Sequence, residues 1–385
     1  MVLDRNIKIM SENVEDILPL TPMQKSMLFM LLLNPSGEFY FEQQRYRLTG
    51  CVRPELVEKA WNIVANNNEI LRTVFRWKGL ENPVQILLKE KKIPVKHFDL
   101  SQEKDCIKLS DNIELEEWRN KVDISTSPFR VAICKLSEEE YHMILSTHHI
   151  ILDGWSNAIL LKEFYEVYNC FHNGRGLIKK TKIKYKEYIR WMVKQDKSKA
   201  IDKWREYLKG YVPFKSVSPS NVTLQENYKT GIYPYRFNKD FIGELKSFTK
   251  KQGITLAALF YSIWGILQMQ TYGVEDVVFG ITVSGRDPEI IGIDDLVGMF
   301  IKTLPMRIRA EKGEKIINLV KQVSLDLVTI EGNQIVELSD ILHYQGSPGE
   351  NILNTAVVIQ NYPLEKNYPA AMMVFSSLIW FHLDM

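Results

Sequence analysis

Residues 141–156 read YHMILSTHHIILDGWS. The first half has the composition of a strand, and from Ser156 onward Ile159, Leu160, Phe164, Tyr165 and Tyr168 recur at helical spacing. A histidine pair therefore stands at a strand end, just ahead of a helix. Successive strand side chains point to opposite faces, so His148 and His149 cannot share one target. His149 falls with Tyr141, Met143, Leu145 and Thr147; His148 falls with His142, Ile144, Ser146 and Ile150. One imidazole can look into a cavity while the other looks into the packing behind it. Asp153 and Gly154 follow in a short loop, which keeps a carboxylate close enough to hold a neighbouring side chain or backbone.

Bulk properties limit what surrounds this stretch. A chain of 385 residues, 45% hydrophobic and 25% charged, is an ordinary globular sequence with length for two or three domains. Lys plus Arg number 49 against 47 Asp plus Glu, a formal charge of +2, and the basic runs at 89–92 and 179–184 have no interleaved aromatic ladder. Nucleic acid is not an expected partner. Cys51, Cys106, Cys134 and Cys170 lack metal-ligand or redox spacing, and no signal-peptide pattern opens the sequence. The expected setting is a reducing cytoplasm. Apolar runs at 27–33 and 370–381 fall short of the roughly 18 residues that span a bilayer, so no membrane association is expected.

In chain order, residues 18–24 (LPLTPMQ) start a helix with agreeing signals: Thr21 as cap, Pro22 at the first helical position and Gln24 completing a capping box. That helix should run to about Leu33, followed by a strand over 40–48 and an amphipathic helix over 54–67 with Leu56, Ala60, Trp61 and Val64 on one side. Residues 71–77 read as a half-buried strand pairing with 84–88, and 122–136 approach a strand beside the histidine strand. Turn residues at 173–176, then Lys179 and Lys180, suggest a boundary between lobes at 1–176 and 177–385. Beyond it, Tyr185, Tyr188 and Trp191, then Trp204, Tyr207, Leu208 and Tyr211, recur at helical intervals and read as core. A loop follows over 216–236. Thr255 caps an apolar helix over 256–269 expected to be buried on most sides, and 276–283 form a continuous apolar strand ending in Ser284-Gly285-Arg286. Strands alternate with long helices in both halves, giving an α/β class with two lobes of similar construction.

Together these motifs resemble the condensation domains of nonribosomal peptide synthetases, relatives of chloramphenicol acetyltransferase. HHIILDG at 148–154 is similar to the family's HHxxxDG signature. It is joined in family order by LPLTPMQ, LRTVF (71–75), the segment 185–191, VSGR (283–286), VGMF (297–300) and VIQNYP (358–363). The resemblance covers about 14–363. Within the family, the wording around MQKSMLF looks most like domains whose donor ends in a D-configured residue; later motifs of epimerisation domains are not found.

The resemblance implies two chloramphenicol acetyltransferase-like lobes in a V-shaped pseudo-dimer with a tunnel between them. It implies amide formation between donor and acceptor thioesters, carried on phosphopantetheine arms of carrier proteins, beside adjacent synthetase domains and with no cofactor bound by the chain itself. His149 is the implied catalytic residue, as base or orienter of the amine; His148 is structural. Asp153 reads either as a second acid or base or, preferably, as an ion-pair partner of Arg286 in a bidentate clamp. Gly154 serves close backbone approach or a simple turn, and Ser156 either meets the acceptor or, more simply, caps the following helix. Trp155, Ser156, Ser284 and Lys302 are candidates for the tunnel wall.

Other chemistries fit worse. Adjacent strand residues diverge, so His148, His149 and Asp153 do not make a zinc site, and neither a GxSxG elbow nor a phosphate-binding loop occurs. Three departures from the family pattern carry expectations of their own. Asn67 and Asn68 replace an Arg-His pair. Lys302 replaces an asparagine, adding charge near the acceptor route or snorkelling outward. After Pro363 the sequence diverges, so the resemblance is expected to stop near Leu364, leaving a second lobe without its final elements and an aggregation-prone stretch at 372–381. A carrier-docking module without catalysis is therefore the alternative function, with acyl transfer from coenzyme A a third.

Overall fold

The computed structural model describes residues 11–35, 37, 39–177, 182–213, 233–344, 352, 353, 355–360 and 374–376. Within these the chain forms two compact units. The first holds the described residues up to Lys194, the segment Arg286–Phe300 and a short strand at 374–376; the second holds those of Gln195–Gly285 and Ile301–Gln360.

The first unit begins with β1 (Val14–Pro19) and α1 (Pro22–Leu33). The capping box forms as expected: Thr21 Oγ1 accepts the Gln24 N–H at 3.2 Å and Gln24 Oε1 accepts the Thr21 N–H at 2.9 Å. Then come β2 (Phe41–Thr49) and α2 (Pro54–Asn67). The strand expected at 71–77 starts instead as a 3₁₀ turn, Glu69–Arg72, and only Thr73–Arg76 (β3) is extended. Side chains fix the turn: Thr73 Oγ1 donates to the Glu69 carbonyl at 3.0 Å, and the Arg72 guanidinium points inward to the carbonyls of Leu88 and Lys89.

β4 (Val84–Leu88) lies between β1 and β3, antiparallel to both. After β5 (Val95–Asp99) and α3 (Cys106–Arg119), β6 (Phe129–Lys135) pairs antiparallel with β7 (Glu140–His148), the histidine strand. α4 (Gly154–His172) follows, and α5 (Tyr185–Lys194) carries part of the aromatic run.

The larger sheet has the order β11-β2-β7-β6-β5, where β11 is Val374–Ser376, antiparallel to β2. α2 and α4 cover it, with the fully buried Trp61 stacked on Phe164 at 4.6 Å and tilted against Phe129 at 5.2 Å. Truncating such a ring costs about 3–5 kcal/mol. Large rings thus fill the contact between these helices and β6, the strand beside the histidine strand.

The expected division at 176/177 differs from the compact units. The turn at 173–176 ends α4 inside the first unit, and α5 stays with that unit. Tyr185 and Tyr188 are buried edge-on against Phe300, at 5.8 and 4.7 Å between ring centres, so the returning segment Arg286–Phe300 is held by the aromatic face of α5. The loop expected at 216–236 lies largely outside the described residues, as do Lys179 and Lys180.

The second unit contains α6 (Ser198–Tyr207), α7 (Lys239–Gln252), α8 (Leu256–Tyr272), β8 (Asp276–Val283), β9 (Lys302–Arg309), α9 (Ile316–Glu331), α10 (Leu338–Tyr344) and β10 (Ala356–Val357). Its sheet has the order β10-β8-β9. Thr255 caps α8 as expected, its Oγ1 accepting the Ala258 N–H at 3.0 Å, and Gly273 ends the helix at φ 67°. α8 is not buried on most sides, however. Ile263 and Leu267 are about half exposed, while Gly265 faces β9 so closely that an added Cβ would lie 2.8 Å from Ile308. One face packs at glycine distance, and composition alone conceals which.

Candidate active site

The site is built on the β2–β7 register. Phe41 pairs with His148 and Glu42 with Thr147, and the ladder continues past the strand end where the His149 N–H donates to the Tyr40 carbonyl at 2.7 Å. Tyr40 holds φ 60°, a left-handed conformation uncommon for a bulky side chain and of the kind that collects at functional sites. Cross-strand partners share a face, so His149, two residues beyond Thr147, comes over Glu42.

The two imidazoles differ as their alternation requires. His148 is 2% exposed, and its Nδ1 accepts the Ile150 N–H at 3.1 Å. Burial first, and then the neighbouring His149, push its pKa down to about 3, so it is neutral over the working pH range. The His149 side chain keeps 8% exposure. Its Nδ1 lies 2.6 Å from the Leu152 carbonyl, an oxygen that can only accept, so the neutral ring carries its hydrogen on Nδ1 and its basic lone pair on Nε2. Nε2 in turn lies 3.5 Å from Glu42 Oε1. Gln24 completes the support: while its Oε1 serves the capping box, its Nε2 donates to the Ile150 carbonyl at 3.0 Å, fastening α1 to the turn after the histidines.

Asp153 is fully buried and is the N-cap of α4, Oδ1 accepting the Ser156 N–H at 2.8 Å and Oδ2 accepting the Phe300 N–H at 3.2 Å. Arg286 lies beside it, but the expected bidentate clamp is corrected: the charges meet at 3.6 Å without parallel hydrogen bonds. The guanidinium is spent elsewhere, on the carbonyls of Ile293 and Leu296, on Ser156 Oγ at 3.0 Å and over the Phe300 ring at 4.4 Å. With both Nη1 hydrogens on loop carbonyls and an Nη2 hydrogen on Ser156, the guanidinium is oriented by the loop and meets Asp153 as a neighbouring charge. Burial lowers the Arg286 pKa and Asp153 opposes the fall.

Ser156 does not cap the helix, and being 0% exposed it lines no open wall. Its hydroxyl donates to the Gly298 carbonyl at 2.8 Å and accepts the Gly298 N–H at 3.1 Å, stitching α4 to the VGMF segment. Gly154 is the first residue of α4 and is not among the glycines with positive φ. Trp155 is half-buried, and its indole N–H donates to the Asp294 carbonyl at 3.2 Å.

Ser284 and Lys302 belong to the second unit. Ser284 is exposed after the end of β8. Lys302 neither snorkels outward nor projects a loose charge: it is 6% exposed, donates to the Gln334 carbonyl at 2.8 Å and pairs with Glu337 at 2.9 Å. In the first unit, Asn67 and Asn68 both donate to Glu163, at 2.7 and 2.9 Å, and Lys182 reaches the same carboxylate at 2.6 Å, so the substituted pair sits in a satisfied ionic cluster.

Glu42 escaped the sequence reading. Its strand has no strict polar–apolar alternation, and only the register shows which side chain stands under His149. Among the described residues no group of three or more His, Cys, Asp or Glu is placed to hold a metal ion.

Comparison with known proteins agrees with this geometry. The condensation-domain family model matches residues 14–376. The match runs past Leu364, where the resemblance was expected to stop, and reaches β11, which adds an edge strand to the sheet of the first unit; the rest of the divergent tail lies outside the described residues.

Gramicidin S synthase 2 of Brevibacillus brevis is 31% identical over 361 residues, 92% of this chain and 8% of that protein. Surfactin synthase subunit 3 of Bacillus subtilis (strain 168) is 31% identical over 360 residues, 92% of this chain and 28% of that protein. The chain thus spans less than a third of the length of these relatives.

Among solved structures, the first condensation domain of the calcium-dependent antibiotic synthetase, in complex with a substrate analogue, superposes with a TM-score of 0.73 at 16% identity, over 91% of this chain and 82% of that one. The starter condensation domain of rhizomide synthetase gives 0.74 at 16%, over 89% and 78%. The fold is the mixed α/β fold of those domains. With the histidine motif at the end of its strand, the capped Gln24 helix behind it and the family match over nearly the whole length, this chain belongs to the condensation-domain family.

Proposed function

We propose that the chain is an acyltransferase that forms an amide bond between two substrates, each delivered as a thioester on the phosphopantetheine arm of a carrier protein. It works beside other synthetase domains in a reducing cytoplasm. Among the described residues no single helix is long and apolar enough to cross a membrane.

The observation that carries the reading is the 2.6 Å contact of His149 Nδ1 with the Leu152 carbonyl: an oxygen that only accepts takes the Nδ1–H, which makes Nε2 the proton-accepting nitrogen of the ring. In the step, the acceptor's α-amine nitrogen attacks the donor thioester carbonyl carbon. The C–N bond forms and the C–S bond breaks; Nε2 takes the proton the nitrogen sheds and returns it to the departing sulfur, giving an amide and a free thiol. A thioester is already reactive, and an α-amine with pKa about 7.7–8.0 is partly neutral near pH 7, so positioning supplies much of the acceleration. Asp153, Arg286 and Ser156 position rather than react, because their polar atoms are turned onto backbone and onto one another.

The test is an assay with donor and acceptor loaded on their carrier proteins. We expect product from the wild type and a rate about 100- to 10,000-fold lower for His149→Ala. Wild-type product no greater than that of the variant would leave a carrier-docking module without catalysis, and product from a coenzyme A thioester with no carrier present would favour the simpler acyltransferase. Paired D- and L-configured donors decide the subtype; the proposed preference is for the D-configured one.

A further inference from the structure

Resting on that reading, we propose that Gln24 is a positioning residue for the reaction. Its amide N–H fixes the Ile150 carbonyl and, through the turn that follows, sets the imidazole of His149.

Gln24 is fully buried, and its amide is used on both sides. Oε1 accepts the Thr21 N–H at 2.9 Å and a Gln85 Nε2 hydrogen at 3.2 Å, while Nε2 donates to the Ile150 carbonyl at 3.0 Å and to the Tyr185 hydroxyl at 3.4 Å. These partners decide which way round the amide lies, since reversing it would set oxygen against the Ile150 carbonyl and an NH2 group against two N–H donors. Capping alone does not ask for this. A capping box is closed by Glu or by Gln, because either brings an oxygen to the N-cap N–H. Only Gln adds a donor, and here the donor reaches across 126 residues of sequence to the turn after the histidines.

That turn depends on it. Ile150, Ile151 and Leu152 are buried, and among the described residues no backbone N–H takes the Ile150 carbonyl. Without the amide a buried carbonyl is left unpaired, and the turn must shift to find it a partner. The shift is passed on from both sides of the same residue. Two positions later the Leu152 carbonyl meets His149 Nδ1 at 2.6 Å, and the Ile150 N–H itself donates to His148 Nδ1 at 3.1 Å. Gln24 therefore acts through the Ile150 peptide, and its effect belongs to the rate of the loaded complex rather than to substrate binding. A displacement of about 1 Å at a reacting group costs on the order of 100-fold.

The experiment measures kcat, KM for the loaded acceptor carrier and melting temperature for wild type, Gln24→Met and Thr21→Val. Gln24→Met keeps the length of the side chain and removes its hydrogen bonds. Thr21→Val removes the hydroxyl that caps α1 but leaves Gln24 bonded to Ile150, so it controls for damage to the helix start. Gln24→Met should lower kcat about 10- to 100-fold with KM within about threefold of wild type. Thr21→Val should keep kcat within about threefold of wild type, although its melting temperature falls as well. Wild-type kcat in Gln24→Met, a loss that appears mainly in KM, or an equal loss of kcat in Thr21→Val overturns the proposal. If Gln24→Met does not fold, Gln24→Asn carries the test: its amide is one methylene too short to serve both Thr21 and Ile150, and a folded Gln24→Asn with wild-type kcat overturns the proposal equally. Absence of amide from the wild type would instead overturn the proposed function beneath it.

Discussion

Two carboxylates near the end of β7 are built on opposite terms, Asp153 in the turn that follows it and Glu42 on the paired strand β2. Asp153 is fully buried, and its oxygens are taken by the N–H groups of Ser156 and Phe300, with Arg286 alongside. Glu42 is partly exposed and meets a histidine nitrogen at 3.5 Å, too far for a hydrogen bond. The first arrangement is saturated, so nothing arriving from outside can bond it without breaking something. The second is looser, set beside the one histidine of the pair whose side chain keeps some exposure. Saturation marks the group that holds the loop.

The sharpest way to break this contrast is to remove Asp153. Asp153→Ala should cost about 3–5 kcal/mol, because it strands a buried guanidinium, with the helix cap adding about 1 kcal/mol. Activity should be lost together with the fold, as urea unfolding would show. A variant with the wild-type midpoint but no activity would put Asp153 among the reacting groups and erase the distinction.

A smaller effect sharpens the contrast between the two histidines. His148 has its folded pKa depressed to about 3 from an unfolded value near 6.5, chiefly by burial. The sign follows: the folded state holds the ring neutral, so its contribution is complete above pH 6.5 and is lost as pH falls from there toward 3. Lowering pH from 7 to 5 should therefore remove about 2 kcal/mol through this group, one proton's worth of slope. His148→Asn keeps an acceptor for the Ile150 N–H and does not titrate in this range, so its stability should fall less steeply by that amount. Parallel curves for the two proteins would mean that folded His148 binds its proton as readily as the unfolded chain does, so that burial does not depress its pKa.

Much of the fold was legible where the signal is local. The capping box of Thr21 and Gln24, the helix at 54–67 and the strand at 276–283 are written in adjacent residues, and the structure reproduces each. The opposed histidines follow from strand geometry alone. What could not be read depends on contacts between distant segments. Glu42 needs the β2–β7 register, the return of Arg286–Phe300 needs the rings of Tyr185 and Tyr188, and the coordination of Arg286 needs three loop partners to be seen at once. Lys302 was misjudged for the same reason, since its partners Glu337 and Gln334 arrive from another part of the chain.

Removing that lysine together with its partner gives the smallest predicted effect and the most exacting check on the idea that a saturated ion pair is structural. Lys302 and Glu337 are both nearly buried, and burial raises the Glu337 pKa while Lys302 opposes the rise. Losing one partner leaves the other charge without compensation, so Lys302→Met or Glu337→Leu alone should each cost about 3–5 kcal/mol. Losing both removes two desolvation penalties together with their mutual attraction, and the double variant should unfold within about 1 kcal/mol of wild type. Its condensation rate should also match wild type, because neither charge is held in reserve. If the double variant keeps its stability but loses acceptor turnover, saturation does not exclude a role with substrate, and the structural reading of Asp153 loses its force.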